Sequence, residues 1–416
     1  AAFDILILAQ STKPIRMRTV YLIFTLVFLL AGCATEEERI DRKAEKLHGE
    51  MLTVDTHCDT PMRLARGGFD PGVRNDNGCV DFPRMKEGGL DAMFFAIFIG
   101  QGPRTAEAYE TEHRNTVRTF DSVKVNVERN SNLAGIALTR EDALKLKAEG
   151  KAAVFMGIEN GYPVGTDLSR IKQYYDLGAR YITLCHSSNN DICDSSTDKD
   201  GPEHGGLSPL GEEVVREMNR VGMLVDVSHA SDESFYDVLG ISKAPIIASH
   251  SSARALCESP RNLDDDMLLA LKKNGGVIQI CLLSDYLKQP EPNPEFDEKV
   301  KELREKWSSN TEEMTDEMRE QRWREFSELK NKYVRLATVT DAVNHIQHVV
   351  DIIGIDHVGI GSDFDGGGGI EGCRDVSTMN NITKELIRRG YSREDIAKIW
   401  GGNFFRVMGQ AQALAQ

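Results

Sequence analysis

Histidine and acidic side chains in this sequence recur at one kind of place, where a short apolar run stops. Asp55-Thr56-His57-Cys58-Asp59 follows Met51–Val54, Glu159 follows Ala152–Ile158 and leads into Asn160-Gly161, and His186 follows Tyr181–Cys185. Ser228-His229 follows Met223–Val227, Ser249-His250 follows Pro245–Ala248, and Ser362-Asp363-Phe364-Asp365 follows His357–Gly361. Side chains alternate along an extended strand, so His57 and Asp59 share a face while Cys58 points the other way: a preformed two-ligand clamp. His57, His229 and His250 with Asp59 and Glu159 make a nitrogen and oxygen donor set suited to zinc or a similar transition ion. Two ions would need a shared carboxylate. Glu159 is the better candidate for that bridge, because it enters from a strand between the clamp and the two later histidines.

One histidine beside a strand is ordinarily a hydrogen-bonded structural residue, and one Asp after a strand is ordinarily a helix cap. Six apolar runs each ending in His, Asp or Glu are a different matter, and the joint pattern points to a metal centre.

The elements that must position these residues show a repeating rhythm of amphipathic helix, glycine, apolar strand and polar loop. The clearest copy starts at Ser208, a good N-cap with Pro209 at the first helical position, breaks at Gly222 and resumes as Met223–Val227. Near-continuous apolar strands alternating with helices argue for βαβ units and a parallel sheet covered on both faces. That rhythm fits a closed barrel and an open doubly wound sheet equally. Only the barrel brings all six strand ends to one rim, so the expected fold is a (β/α)8 TIM-like barrel with a binuclear site at the C-terminal ends of its strands. It spans residues 47–416, interrupted at about 288–335 by a charged, helical insertion that opens with Pro290, Pro292 and Pro294.

The N-terminus reads as an address. Val20–Ala31 is apolar except for Thr25, is preceded by Arg16 and Arg18, and exits through Gly32-Cys33. That is shorter than the about 20 apolar residues a membrane span needs, and it has the flanks of a secretory signal. Leu30-Ala31-Gly32-Cys33 resembles a bacterial lipobox, which would make Cys33 the lipidated first residue of the mature chain. Met17 sits where a start would be expected, with residues 1–16 an overextended frame. The charged run 34–46 reads as a solvated tether.

Composition sets outer limits. The 416 residues carry a formal net charge of -15, a long-range field that repels polyanions and argues against nucleic-acid binding. The eight cysteines form no CxxC pair and spell no disulfide framework.

The site segments together resemble the membrane (renal) dipeptidase family of zinc peptidases, in order, over roughly residues 48–412. They are VDTHCDTP (Val54–Pro61), GIENG (Gly157–Gly161), TLCHSSNN (Thr183–Asn190), LVDVSHA (Leu224–Ala230), SHSSA (Ser249–Ala253), Arg261-Asn262 and GIGSDFDG (Gly359–Gly366). The resemblance implies one zinc held by His57, Asp59 and Glu159 and a second held by Glu159, His229 and His250. It further implies that His186 contacts the polarised carbonyl, Arg261 the terminal carboxylate and Tyr286 the substrate, with Asp363 as the catalytic carboxylate. The implied reaction is hydrolysis of dipeptides through a metal-bridging hydroxide, with tolerance for a D-residue at the C-terminal position, by a homodimer. Cys257 matches a cysteine that is disulfide-bonded in mammalian members, but Gln289 stands in the partner's place, so that bridge is expected to be missing.

Two other readings remain at this stage. A lactonase, deaminase or phosphotriesterase could use the same ligands on the same barrel. A lipoprotein that binds peptides or glycan without catalysis would need neither the ligands nor Asp363.

Overall fold

In the computed structural model, residues 35–308 and 315–416 are described. The signal segment and Cys33 lie outside them. Residues 44–416 form one compact unit. The run expected to be a tether is helical from its third residue, as part of the helix Glu36–Glu50.

Among the described residues, nine strands build a single parallel sheet: β1 (Val54–Cys58), β2 (Ala92–Phe98), β3 (Ala134–Ile136), β4 (Ala152–Glu159), β5 (Ala179–Thr183), β6 (Leu224–Asp226), β7 (Ile247–Ser251), β8 (Val277–Cys281) and β9 (Val358–Gly361). They pair in the order β1-β2-β4-β5-β6-β7-β8-β9. The seam between β9 and β1 is closed just past the strand ends, where the Asp59 amide donates to the Phe364 carbonyl at 2.8 Å and the Asp363 amide to the His57 carbonyl at 3.1 Å. The result is the barrel expected from the strand ends. β3 was not foreseen; it pairs with the first residues of β4, whose later residues pair with β5.

Both faces of the barrel wall are buried, which is why β4 (AAVFMGIE) reads as continuous apolar sequence rather than an alternation. Phe94, Phe155, Tyr181 and Leu224 form one cluster with Phe404, Phe405 and Met408 of the C-terminal helix Asn403–Gln412. The larger cluster lies between the strands and the surrounding helices, and includes Met93, Val154 and Ile182. Helix boundaries follow local chemistry. Ser208 caps Pro209–Val221, its hydroxyl accepting from the Gly211 amide at 2.9 Å, and Gly222 ends it at φ 80°.

Several strands differ from expectation in extent, three of them at candidate site residues. β1 begins at Val54 and carries His57 within it, β7 likewise contains His250, and β5 stops at Thr183, before His186. The ladders shift register between Asp55 and Cys58 and between Ala248 and Ser251. Both irregularities sit on a candidate ligand, where a bulge re-aims a side chain.

The 288–335 region carries two helices, Pro294–Ser308 and Asp316–Tyr333. They are joined by Lys306 Nζ to Glu325 at 2.7 Å and by the Trp307 indole N–H to Glu325 at 3.1 Å.

Candidate metal centre

Glu159, the last residue of β4, lies at the middle of the site, and its two oxygens face different partners. Oε2 is 3.5 Å from His57 Nε2, which is in turn 3.6 Å from Asp59 Oδ2. Oε1 is 3.0 Å from His229 Nε2 and 3.4 Å from His250 Nε2, and those two nitrogens are 2.9 Å apart. A tetrahedral transition ion with nitrogen and oxygen ligands at about 2.1 Å holds its donor atoms about 3.4 Å apart. The spacing on both sides of Glu159 fits that requirement. Buried His57 Nε2 and Asp59 Oδ1 have no hydrogen-bond partner, and polar atoms so placed need one. The donor set therefore fits metal on an observation of its own atoms. Among the described residues, three clusters with ligand atoms within 4.8 Å can be drawn: His57, Glu159 and His250; Glu159, His186 and His229; and His57, Asp59 and Asp363.

The ring nitrogens that face away are held unequally. His57 Nδ1 is 3.0 Å from the Tyr181 hydroxyl. His250 Nδ1 is 2.8 Å from Ser249 Oγ, which donates to Asp226 Oδ2 at 2.6 Å. His229 Nδ1 has no partner. Tyr181 reaches His57 only because residue 157 is glycine: a Cβ there would run into the Tyr181 ring. Gly366 has a similar role, since its Cβ would meet the carboxylates of Asp59 and Asp363.

Electrostatics divide the centre. Burial, followed by Glu159, pushes Asp59 up to about 6, and burial together with Asp59 pushes Asp363 well above the usual carboxylate range. For His57, burial opposes the charge but Glu159 and Asp59 outweigh it, and the ring is raised well above its ordinary value. His229 is lowered well below the ordinary value by burial and by the nearby Arg261, and His250 by burial and by His57.

A pocket of about 280 Å³ is lined by Asp59, Glu159, His229 and His250 of this centre and also by His186, Arg261, Tyr286 and Asp363. Its remaining candidate residues take distinct places. His186 Nε2 is 3.8 Å from Glu159 Oε1, its ring 4.3 Å from that of His229, and it is the most exposed imidazole of the group. The Arg261 guanidinium is 4% exposed, stacks 5.2 Å over the Tyr286 ring and donates to the His250 carbonyl at 3.2 Å. No carboxylate pairs with it among the described residues, and its Nε has no partner. Asp365, by contrast, is fully engaged by Thr60 at 2.7 Å, the Cys79 amide at 2.9 Å and Arg63 at 3.2 Å. Cys257 is unpaired, like the other described cysteines, with its thiol 3.4 Å from the Asp285 carbonyl.

The sequence reading missed Tyr181, Ser249 and Asp226 as supports of the ligands. It also missed the strained backbone: Asn160, His229, Asp363 and Asp365 all have positive φ, between 60° and 78°. Such outliers cluster at functional sites. Gly157 inside an otherwise bulky strand was the available signal for Tyr181.

Comparison with known proteins adds an independent line. A family model described as membrane dipeptidase, peptidase family M19, matches residues 41–416. Dipeptidase tcpJ of Claviceps purpurea is 34% identical over 343 residues, covering 81% of this chain and 70% of its own. Dipeptidase verJ of Clonostachys rogersoniana is 34% identical over 387 residues, covering 90% and 87%. The crystal structure of the probable dipeptidase PvdM from Pseudomonas aeruginosa superposes with a TM-score of 0.78 at 34% identity, covering 91% of this chain and 99% of that one.

Proposed function

The chain belongs to the membrane dipeptidase family, peptidase family M19, and from that premise we propose that it hydrolyses dipeptides with two zinc ions bridged by Glu159, accepting a D-residue at the C-terminal position. The observation that carries this reading is the buried, carboxylate-free guanidinium of Arg261 in the same pocket as the Glu159 cluster. A buried cation without an anion is costly, and a free C-terminal carboxylate is what would pair with it.

Two bound zinc ions would bring the pKa of a shared water toward neutrality and polarise the scissile carbonyl. His57, Asp59 and Glu159 would hold one ion, and Glu159, His229 and His250 the other. The remaining roles belong to the chain's own groups. Arg261 fixes the substrate carboxylate through its planar donor fork, with Tyr286 stacked beneath the guanidinium. His186, on the open side of Glu159, donates to the carbonyl oxygen. Asp363, whose ligand atom lies within 4.8 Å of those of His57 and Asp59, takes the proton from the attacking water and delivers it to the leaving amine.

The test compares Ala-Ala with its C-terminal amide on wild-type protein and Arg261→Ala. The wild type is expected to prefer the free acid. The variant should lose about 10²-fold in kcat/KM on the acid, as for a buried charge pair cut at one partner, with little change on the amide. Equal loss on both would refute the carboxylate role, and a lactonase or phosphotriesterase reading predicts no loss at all.

The run from Arg16 to Cys33 supports lipid attachment at Cys33 outside the bacterial cytoplasm. Cys33→Ser should release the protein from the membrane fraction with hydrolysis intact. Family likeness also supports a homodimer, which sedimentation of the purified protein would test.

A further inference from the structure

His186 owes its place to a stretch of chain that lies behind the pocket. β5 ends at Thr183, and the run from Leu184 to the helix Pro209–Val221 is irregular, with isolated pairings of Cys193 to Leu207 and of Ser195 to Ala230. The His186 ring meets its neighbour's hydroxyl, Ser187 Oγ, at 3.0 Å and the Phe98 ring edge-on at 4.9 Å, and its side chain is 29% exposed. A ring so lightly held takes its position from its backbone.

That backbone is fastened on both sides by a pair of buried asparagines. Asn190 is 1% exposed and uses its amide in full. Its Nδ2 donates to the Leu184 carbonyl at 2.8 Å and to Asn160 Oδ1 at 3.0 Å, and its Oδ1 accepts from the Ile192 and Cys193 amides at 2.9 and 3.1 Å. The Leu184 carbonyl, two residues ahead of His186, also accepts from the Gly161 amide at 3.3 Å. On the other side, Ser195 Oγ donates to the His186 carbonyl at 2.6 Å, and the Ser195 amide donates to Asn189 Oδ1 at 2.8 Å.

Asn160, the residue after Glu159, carries the other end of this rung. It is fully buried at φ 78°; its Nδ2 donates to the Ile99 carbonyl at 2.9 Å and its Oδ1 also accepts from the Tyr162 amide at 3.2 Å. Asparagine is among the few residues that enter the left-handed region readily. The rung Asn160–Asn190–Leu184 thus links the end of β4 to the end of β5, its neighbour in the sheet, and across it Glu159 Oε1 and His186 Nε2 stand 3.8 Å apart. Neither asparagine lines the 280 Å³ pocket, so each acts through the residues it holds. We propose that Asn160 and Asn190 are positioning residues that set the spacing between Glu159 and His186, and so the placement of the imidazole on the substrate carbonyl. This inference rests on the dipeptidase reading for what the spacing serves, and on the rung alone for how it is set.

Two variants cut the rung from opposite ends. Asn160→Gly keeps the left-handed backbone, which glycine enters freely, and removes the acceptor. Asn190→Asp, as a carboxylate, can still accept from Ile192 and Cys193 but donates to neither Leu184 nor Asn160; should it fail to fold, Asn160→Gly carries the test. Each should lower kcat on Ala-Ala by about tenfold or more, the scale of a misplaced contact, with KM within about twofold of the wild type and zinc content unchanged. In a His186→Ala background the same substitutions should cost less than about twofold, because the group they place is gone. A purely structural role predicts equal losses in both backgrounds. That result, an unchanged kcat, or zinc lost in step with activity overturns the proposal. Wild-type turnover of Ala-Ala reports the dipeptidase reading alone. A crystal structure of zinc-loaded Asn160→Gly reports the positioning alone: His186 Nε2 should lie farther from Glu159 Oε1 than in the zinc-loaded wild type by about 1 Å or more, and an unchanged distance would count against the rung even if every dipeptide were cleaved.

Discussion

The two halves of the metal centre are built from different strands and different chemistry. His57, Asp59 and Asp363 come from β1 and the end of β9, at the seam where the barrel closes. His229 and His250 follow or belong to β6 and β7 on another part of the wall. Glu159, on β4, gives one oxygen to each half. In the seam half the carboxyls are raised, Asp59 to about 6 by burial and Glu159, and Asp363 well above the usual carboxylate range by burial and Asp59. In the other half the imidazoles are lowered, chiefly by burial. The seam half thus concentrates negative charge and has one carboxylate more than a ligand set of His57, Asp59 and Glu159 requires. The imidazole half offers neutral nitrogen donors and no spare acid. A closed barrel can set a proton-transfer group beside a ligand set because its first and last strands are neighbours there.

The largest test of this division is Glu159→Gln. Removing the charge shared by both halves should lower zinc content at both positions and cut turnover by about 10³-fold or more, the scale of losing the activated water. His250→Ala should empty only the imidazole half. Elemental analysis of the two variants separates these outcomes, and loss of the same single ion in both would break the bridging assignment.

Next in size is Asp363→Asn. If the seam carboxylate is spare for coordination, zinc content and folding stay near normal while kcat falls by about 10²-fold or more, as expected when a general acid-base group is removed. Loss of zinc in step with activity would make Asp363 a ligand. Asp365 cannot substitute for it, since Thr60, Cys79 and Arg63 occupy its oxygens.

A smaller effect should follow from the supports. Tyr181→Phe removes the hydroxyl on His57 Nδ1, and Ser249→Ala the one on His250 Nδ1. Outer partners of ligating imidazoles are worth about tenfold or more in metal affinity. Competition with a chelator should therefore show each variant weakening its own half, and an identical effect of both on one ion would collapse the distinction between halves.

Much of this was legible in the sequence. The six apolar runs and their terminal His, Asp and Glu residues located the rim, and the barrel followed from their need to converge. What was not legible depended on contacts between distant segments. β1 extends through Thr56 and His57 because a polar run can remain strand when a closed rim satisfies it, as when Thr56 Oγ1 donates to the Ser249 carbonyl at 2.7 Å. Tyr181 looked like core, since the room for it depends on Gly157 one strand away. The 288–335 segment was readable as helical from its Glu, Lys and Arg content, but no local pattern says that one face of it closes a cavity over the barrel mouth.

The smallest expected effect on turnover concerns the backing of the imidazole half. Beyond His250 the chain passes through Ala253, whose amide donates to His345 Nδ1 at 3.0 Å, and His345 Nε2 donates to the Leu287 carbonyl at 2.9 Å. Accepting at one nitrogen and donating at the other requires a neutral ring. Burial lowers its pKa from 6.5 to about 4, only partly opposed by the Leu287 carbonyl. Between those values the unfolded chain binds a proton that the folded chain refuses, so stability falls as pH drops from 6.5 toward 4 and is constant above. The loss between pH 7.5 and pH 5 is about 2 kcal/mol for this residue. His48, also lowered to about 4 by burial, adds to the slope of the wild type, so the informative quantity is the difference between proteins. His345→Gln can keep both hydrogen bonds and does not titrate. Its Tm should decline less steeply than that of the wild type from pH 6.5 to pH 5, with kcat at pH 7.5 changed by no more than about twofold. Parallel Tm curves would mean that His345 takes up its proton over the same pH range in the folded and the unfolded chain, and that the backing of His250 is held in another way.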